Sequence, residues 1–191
     1  IEYNGHKILL DTGASERFAR NAAALGFDLG AVECGVLSHA HYDHANGLAA
    51  FFAHNASAPV YLREGTEENC YGKRWIFHKY IGIQRGYLKK YADRFIYAES
   101  RREILPGVTL LTHSTEGLEK YGAKNYLYIR QNGRFRPDAF AHEQSLIFDT
   151  EKGLAVFSSC SHAGADNILQ EALDAFPGKR VYALVGGFHL Y

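Results

Sequence analysis

Apolar and polar positions divide the chain into short β-like runs with a few helices between them. Residues 1–10, "IEYNGHKILL", alternate imperfectly and end in "KILL", a strand entering the turn "DTGAS". Residues 16–26, "ERFARNAAALG", have the spacing of a short helix ended by Gly26. A brief apolar strand at 35–38 breaks into polar residues, and "ANGLAAFFAH" (45–54) returns to helical spacing. "APVYLRE" (58–64) reads as another strand. Further β-like runs follow at 107–113, 125–131, 144–150, 153–159 and 181–187. A helix, "ADNILQEALDAF" (165–176), lies between the last two. Strands mixed with helices, ending β–α–β, predict a mixed α/β fold with helices packed outside the sheets.

Composition narrows the class. At 191 residues the chain fits one domain with a real core. It is 47% apolar and 22% charged, so no long disordered tail is expected. Lys plus Arg equals Asp plus Glu, 21 each, which removes the basic field of a general nucleic-acid binder. No apolar run is long enough to cross a bilayer. A small molecule is the expected partner, not nucleic acid or membrane. Cys34, Cys70 and Cys160 are far apart and odd in number. That argues against a disulfide framework or zinc finger and suits a reducing cytoplasm. The chain opens at Ile1 inside a strand-like run, with no initiator Met and no Met elsewhere, so its start reads as truncated. Residues 65–97 differ from the rest, being dense in Tyr, Trp, Phe, Lys and Arg with weak periodicity.

The chemistry concentrates in "LSHAHYDHANGL" (37–48). His39 and His41 are two apart where a strand ends. Side chains at i and i+2 project to one side, so both imidazoles can reach one ion. Asp43 and His44 follow at the start of a helix and point in different directions, which suits a second ion beside the first. Imidazole with carboxylate suits zinc, iron or manganese.

This stretch resembles the signature of the metallo-β-lactamase superfamily, and "ILLDTGAS" resembles the strand and turn that precede it. "EQSLIFDTEKGLAVFSSCSHAGADNIL" and "VGGFHLY" resemble a sub-group, the metal-dependent hydrolases similar to dihydropterin–ribofuranosylaminobenzene phosphate synthase. The resemblance implies an αββα sandwich of two mixed sheets flanked by helices. It implies two divalent ions, zinc foremost, at one edge. His162 would complete the ion held by His39 and His41, and His189 the ion held by Asp43 and His44. Asp11 would support the ligands from behind by accepting a hydrogen bond from a ring nitrogen, beside its plain role as a turn former. Many relatives carry a bridging aspartate after the strand that corresponds to "GLAVFSS". Here the stretch is Ser159, Cys160, Ser161, His162, and Cys160 reads as a small core residue. His113 and His142 are lesser ligand candidates. His6, His54 and His78 read as ordinary.

Two ions about 3.5–4 Å apart make hydroxide from a shared water, which attacks a carbonyl or phosphoryl centre. The resemblance therefore implies a hydrolase of a small anionic ester or phosphodiester, with Asp43 as catalytic residue. A synthase joining a pterin diphosphate to a phosphorylated aminobenzene, and a non-catalytic metal-binding domain, are the alternatives. Glu143, Trp75 and Arg74 are candidate substrate contacts. The 65–97 segment reads either as a cradle for an anionic aromatic ligand near the active site or as an amphipathic helical insert.

Overall fold

The computed structural model describes residues 1–189. The chain begins with β1 (Glu2–Tyr3), β2 (His6–Leu10), α1 (Arg17–Ala24), β3 (Cys34–Val36), α2 (Tyr42–Ala45), α3 (Leu48–His54) and β4 (Val60–Arg63). Next come β5 (Cys70–Arg74), β6 (Phe77–Tyr80), α4 (Tyr87–Lys90), β7 (Phe95–Ala98), β8 (Arg102–Leu105) and β9 (Val108–Thr112). It closes with α5 (Glu119–Lys124), β10 (Leu127–Gln131), β11 (Arg134–Pro137), β12 (Gln144–Thr150), β13 (Gly153–Ser158), α6 (Ala165–Ala175) and β14 (Val181–Gly186).

Two five-stranded mixed sheets, ordered β1-β2-β3-β4-β7 and β14-β13-β12-β9-β8, face one another. Between them pack Ile8, Val36 and Tyr61 from the first sheet and Val108, Leu110, Leu146 and Phe148 from the second. Strand β12 shows why its run is continuously apolar. Leu146 and Phe148 point into this inter-sheet core, while Ile147, between them, points out to pack with Ile168 and Ala172 of α6. A strand covered on both faces needs apolar residues at every position. On the far side of the first sheet, Leu37, Ala45, Leu48 and Phe51 make the matching outer layer with α2 and α3. The result is the αββα sandwich.

Residues 65–97 depart from the helical reading, while 125–131 holds the expected strand, β10. A third sheet, β11-β10-β5-β6, is fully antiparallel. The 65–97 segment is thus not a helical insert. It contains the β5–β6 hairpin, α4, a single 3-10 turn (Ala92–Arg94) and then β7, which pairs with β4 in the first core sheet. Short half-buried strands carrying basic residues leave little periodicity to read.

The parallel pairs β2–β3 and β13–β14 place four strand ends at one edge. The turns that follow carry Asp11, residues 37–41, residues 159–162 and His189. Close approach holds this edge together. Thr12 N donates to His44 O (2.7 Å) and Gly47 N to Gly13 O (3.2 Å). A Cβ at Gly47 would stand 2.0 Å from Thr12 O, so only glycine lets the α2–α3 junction lie on the Asp11 turn.

Candidate metal centre

His39 follows β3, and His41 is the N-cap of α2 in extended conformation. Their rings lie 4.6 Å apart, nearly perpendicular. His162 arrives from beyond β13, its ring 4.9 Å from that of His39 and 5.0 Å from that of His41. One ring nitrogen of each lies within 4.8 Å of the others. His39 Nε2, His41 Nε2 and both ring nitrogens of His162 are buried without a hydrogen-bond partner. Orphaned buried polar atoms are costly, and four on three touching rings call for a ligand. A divalent cation fits this donor set. Burial and the neighbouring imidazoles push all three histidines down, His41 to about 3. They are neutral at physiological pH, the form that binds metal.

A second donor group adjoins the first. His44 Nε2 lies 3.2 Å from Cys160 Sγ and 3.6 Å from Asp43 Oδ2. His44, Cys160 and His39 form one cluster; Cys160, His162 and His189 form another. The His189 ring is 4.6 Å from that of His162. Asp43 is half exposed and lies outside these clusters, yet lines the same cavity of about 480 Å³ with His41, Tyr42, Lys124, Cys160 and His189. Cys160 is not the core residue its small size suggests. It faces the cluster, and the sequence signal for it is its position just past a strand end, two residues before His162.

Asp11 lies behind both groups. Its Oδ2 accepts from His44 Nδ1 (2.8 Å), Ser38 Oγ (2.7 Å) and Ser159 Oγ (2.5 Å), and its Oδ1 accepts from Ser38 N (2.7 Å). Because the Ser38 hydroxyl gives its hydrogen to Asp11, it accepts from His39 Nδ1 (2.9 Å). Both histidines therefore carry hydrogen on Nδ1 and turn Nε2 toward the centre, where that of His39 has no partner. Burial lowers His44, but its hydrogen bonds to Asp11 and Cys160 outweigh this and push it up to about 10. Ser38 and Ser159 carry no signal in the sequence, since serine beside a turn has many ordinary uses.

A third layer positions the loops. Ala40 N, between His39 and His41, donates to His142 Nδ1 (3.1 Å), and His142 Nε2 donates to Asp138 Oδ2 (3.0 Å). His142 thus acts on the backbone of the histidine loop. Cys70, Asp138, His142 and His41 form another buried donor cluster. A metal on His142 Nε2 would force an imidazolate there, because Nδ1 already accepts the Ala40 hydrogen.

Glu143 corrects an expectation. It is 1% exposed, and its two oxygens accept the His162 and Ala163 amide hydrogens (2.8 and 2.7 Å), so it fastens the His162 loop and is closed to substrate. Arg74 and Trp75 line a separate depression at the β5–β6 turn with Ile76, Phe77 and Lys79, not the histidine cavity.

His113 is occupied elsewhere. Its Nδ1 donates to Glu171 (2.7 Å) and its Nε2 accepts from Ser145 Oγ (3.2 Å). Burial disfavours the Glu171 charge, but hydrogen bonds from His113, Ser114 and Thr115 outweigh it and push the carboxyl down to about 2. Its ordinary value is 4.5. Stability from this carboxylate is therefore complete above about 4.5 and drains away as pH falls toward about 2. Glu171→Gln is expected to flatten the stability–pH curve in that window. Urea denaturation at a series of acid pH values checks it, and an unchanged slope would contradict the assignment.

The fold and the histidine edge define an αββα sandwich with a cluster of metal-ligating side chains at the ends of its strands. A sequence profile of the metallo-β-lactamase superfamily matches residues 1–129, and the chain belongs to that superfamily. Among its relatives is the 7,8-dihydropterin-6-methyl-4-(beta-D-ribofuranosyl)-aminobenzene-5'-phosphate synthase of Methanocaldococcus jannaschii. It is 29% identical over 202 residues, covering 100% of this chain and 68% of the relative. The crystal structure of Tm1679, a metal-dependent hydrolase of the β-lactamase superfamily, superposes with TM-score 0.77 and 31% identity over 99% of this chain and 73% of the other. A quorum-quenching N-acyl homoserine lactone lactonase shares the fold, with TM-score 0.56 and 17% identity over 98% of this chain and 76% of the other.

Proposed function

We propose that the protein is a metal-dependent hydrolase of a small anionic ester or phosphodiester, with two divalent ions, zinc foremost and iron or manganese next. The observation that carries this reading is the set of four buried, unpartnered imidazole nitrogens on His39, His41 and His162. These three hold one ion. His44, Cys160, His189 and Asp43 hold the other, the Cys160 thiolate supplying the anionic charge that an aspartate would bring. When bound, such ions supply Lewis-acid polarisation of a carbonyl or phosphoryl oxygen. The chain's own residues bind and orient. Asp11 fixes the ring faces of His39 and His44. Lys124, on the cavity wall, pairs with the substrate's negative charge. Asp43, half exposed in the same wall, would bring a carboxylate oxygen to the second ion from the solvent side.

A synthase on the same site is the second reading, favoured by similarity to the archaeal synthase along the whole chain. No described helix is long and apolar enough to cross a membrane. Three free cysteines support placement in a reducing cytoplasm.

Turnover of bis-p-nitrophenyl phosphate by zinc- or manganese-loaded protein, lost in His39→Ala, is expected. Product formed only when a pterin diphosphate and a phosphorylated aminobenzene are supplied together would transfer the assignment to the synthase. Stoichiometric metal with no turnover in either assay would leave a metal-binding domain.

A further inference from the structure

The β5–β6 hairpin ends in a two-residue turn, Trp75–Ile76, between the paired Arg74 and Phe77. Trp75 is 85% exposed, Ile76 81% and Phe77 72%, three large apolar side chains in a row in water. Trp75 also has φ 59°, the left-handed region, at a turn position where glycine is the favoured residue. A chain under selection for solubility alone would put Asn and Gly there. Strain and exposed apolar surface at one tip point to a binding role.

The charge around the tip indicates the partner. Lys73, Arg74 and Lys79 flank it, while Arg130, Arg134 and Arg136 stand at the far end of the same sheet. The four strands of this sheet contain no Asp or Glu, although the whole chain has net charge zero. Positive charge has been gathered on the sheet that bears the apolar tip.

We propose that this hairpin docks the protein on an anionic membrane surface. Trp75, Ile76 and Phe77 enter the headgroup–acyl boundary, and Lys73, Arg74 and Lys79 meet the lipid phosphates and carboxylates. A second copy of the chain is disfavoured, because a symmetric contact would bring two all-basic sheets together. Single-stranded nucleic acid wants stacking platforms along a groove, whereas this tip is a two-residue turn with aliphatic Ile76 beside its one indole. The tip also stands beside the histidine cavity. Lys73 N donates to Tyr126 O (2.7 Å), and Tyr126 lines the cavity wall. Docking would hold the cavity near the interface.

Trp75 is the only tryptophan of the chain, so its emission reports on the tip alone. Vesicles of equal parts phosphatidylserine and phosphatidylcholine are expected to shift its emission to the blue and shield it from aqueous quencher, reversibly with salt. Pure phosphatidylcholine should do so far less. The triple variant Lys73→Gln, Arg74→Gln, Lys79→Gln should lower partition in vesicle co-sedimentation by about a hundredfold. Trp75→Gly should lose co-sedimentation while keeping or raising Tm, since glycine relieves the turn. Unchanged emission with anionic vesicles at low salt would overturn the proposal. So would a shift produced only by a single-stranded oligonucleotide, or one that follows protein concentration without lipid.

Discussion

His162→Ala is expected to leave a folded protein that no longer retains a stoichiometric divalent ion. His162 is the third donor beside His39 and His41, and it comes from the opposite sheet, past β13. Two imidazoles from one loop make an open, exchangeable site; the third closes it. Loss of an outer partner alone typically costs about 10–100-fold in metal affinity, and removal of a donor should exceed that. The Glu143 contacts are to backbone amides, which alanine keeps, so the loop stays fastened. Elemental analysis after desalting gives the direct readout. Thermal melts give another: zinc should raise the Tm of the natural sequence through mass action on the folded state, and the variant should show little or no shift. A variant with unchanged metal content would remove His162 from the site.

Asp11→Asn is expected to have the next largest effect, although Asp11 touches no ion. One carboxylate sets the hydrogen position on His44 directly and on His39 through Ser38. The asparagine side chain has a single acceptor oxygen where four hydrogen bonds now converge, and its amide hydrogens would face donors. Both rings would lose their fixed tautomer, and metal affinity should fall by about 10–100-fold. Stability should fall as well, because buried donors are left unpaired. Nitrogen-15 imidazole spectra separate the two roles: a positioning carboxylate predicts Nδ1–H on both His39 and His44 in the natural protein and a mixture in the variant. Spectra unchanged by the substitution would make Asp11 a turn former only.

Much of this centre is legible in the residue pattern itself. His39 and His41 lie at i and i+2 past an apolar run, a pattern in which strand geometry alone predicts convergence. The two-face burial of β12 and the amphipathic α6 likewise follow from local spacing. What the pattern hides depends on contacts between residues far apart in the chain. Glu143 looks like a free acid beside β12, but its partners are the backbone amides of residues 162 and 163. His142 resembles a ligand in sequence, yet it holds Ala40, a hundred and two positions away. The third sheet is built from strands whose alternation is blurred by basic residues, so β5 and β10 cannot be matched by pattern. Cys160 is the most consequential case. Its size and apolarity suit a core, its position past β13 is a weak signal, and the placement of His44 and His189 around it shows a donor.

The most direct test of the central claim is anomalous scattering from crystals of the zinc-loaded protein, collected on both sides of the zinc edge. One peak is expected within about 2.0–2.1 Å of His39, His41 and His162 nitrogens. A second is expected among Asp43, His44, Cys160 and His189. A zinc-loaded crystal with no anomalous peak in reach of His39, His41 and His162 would contradict the claim.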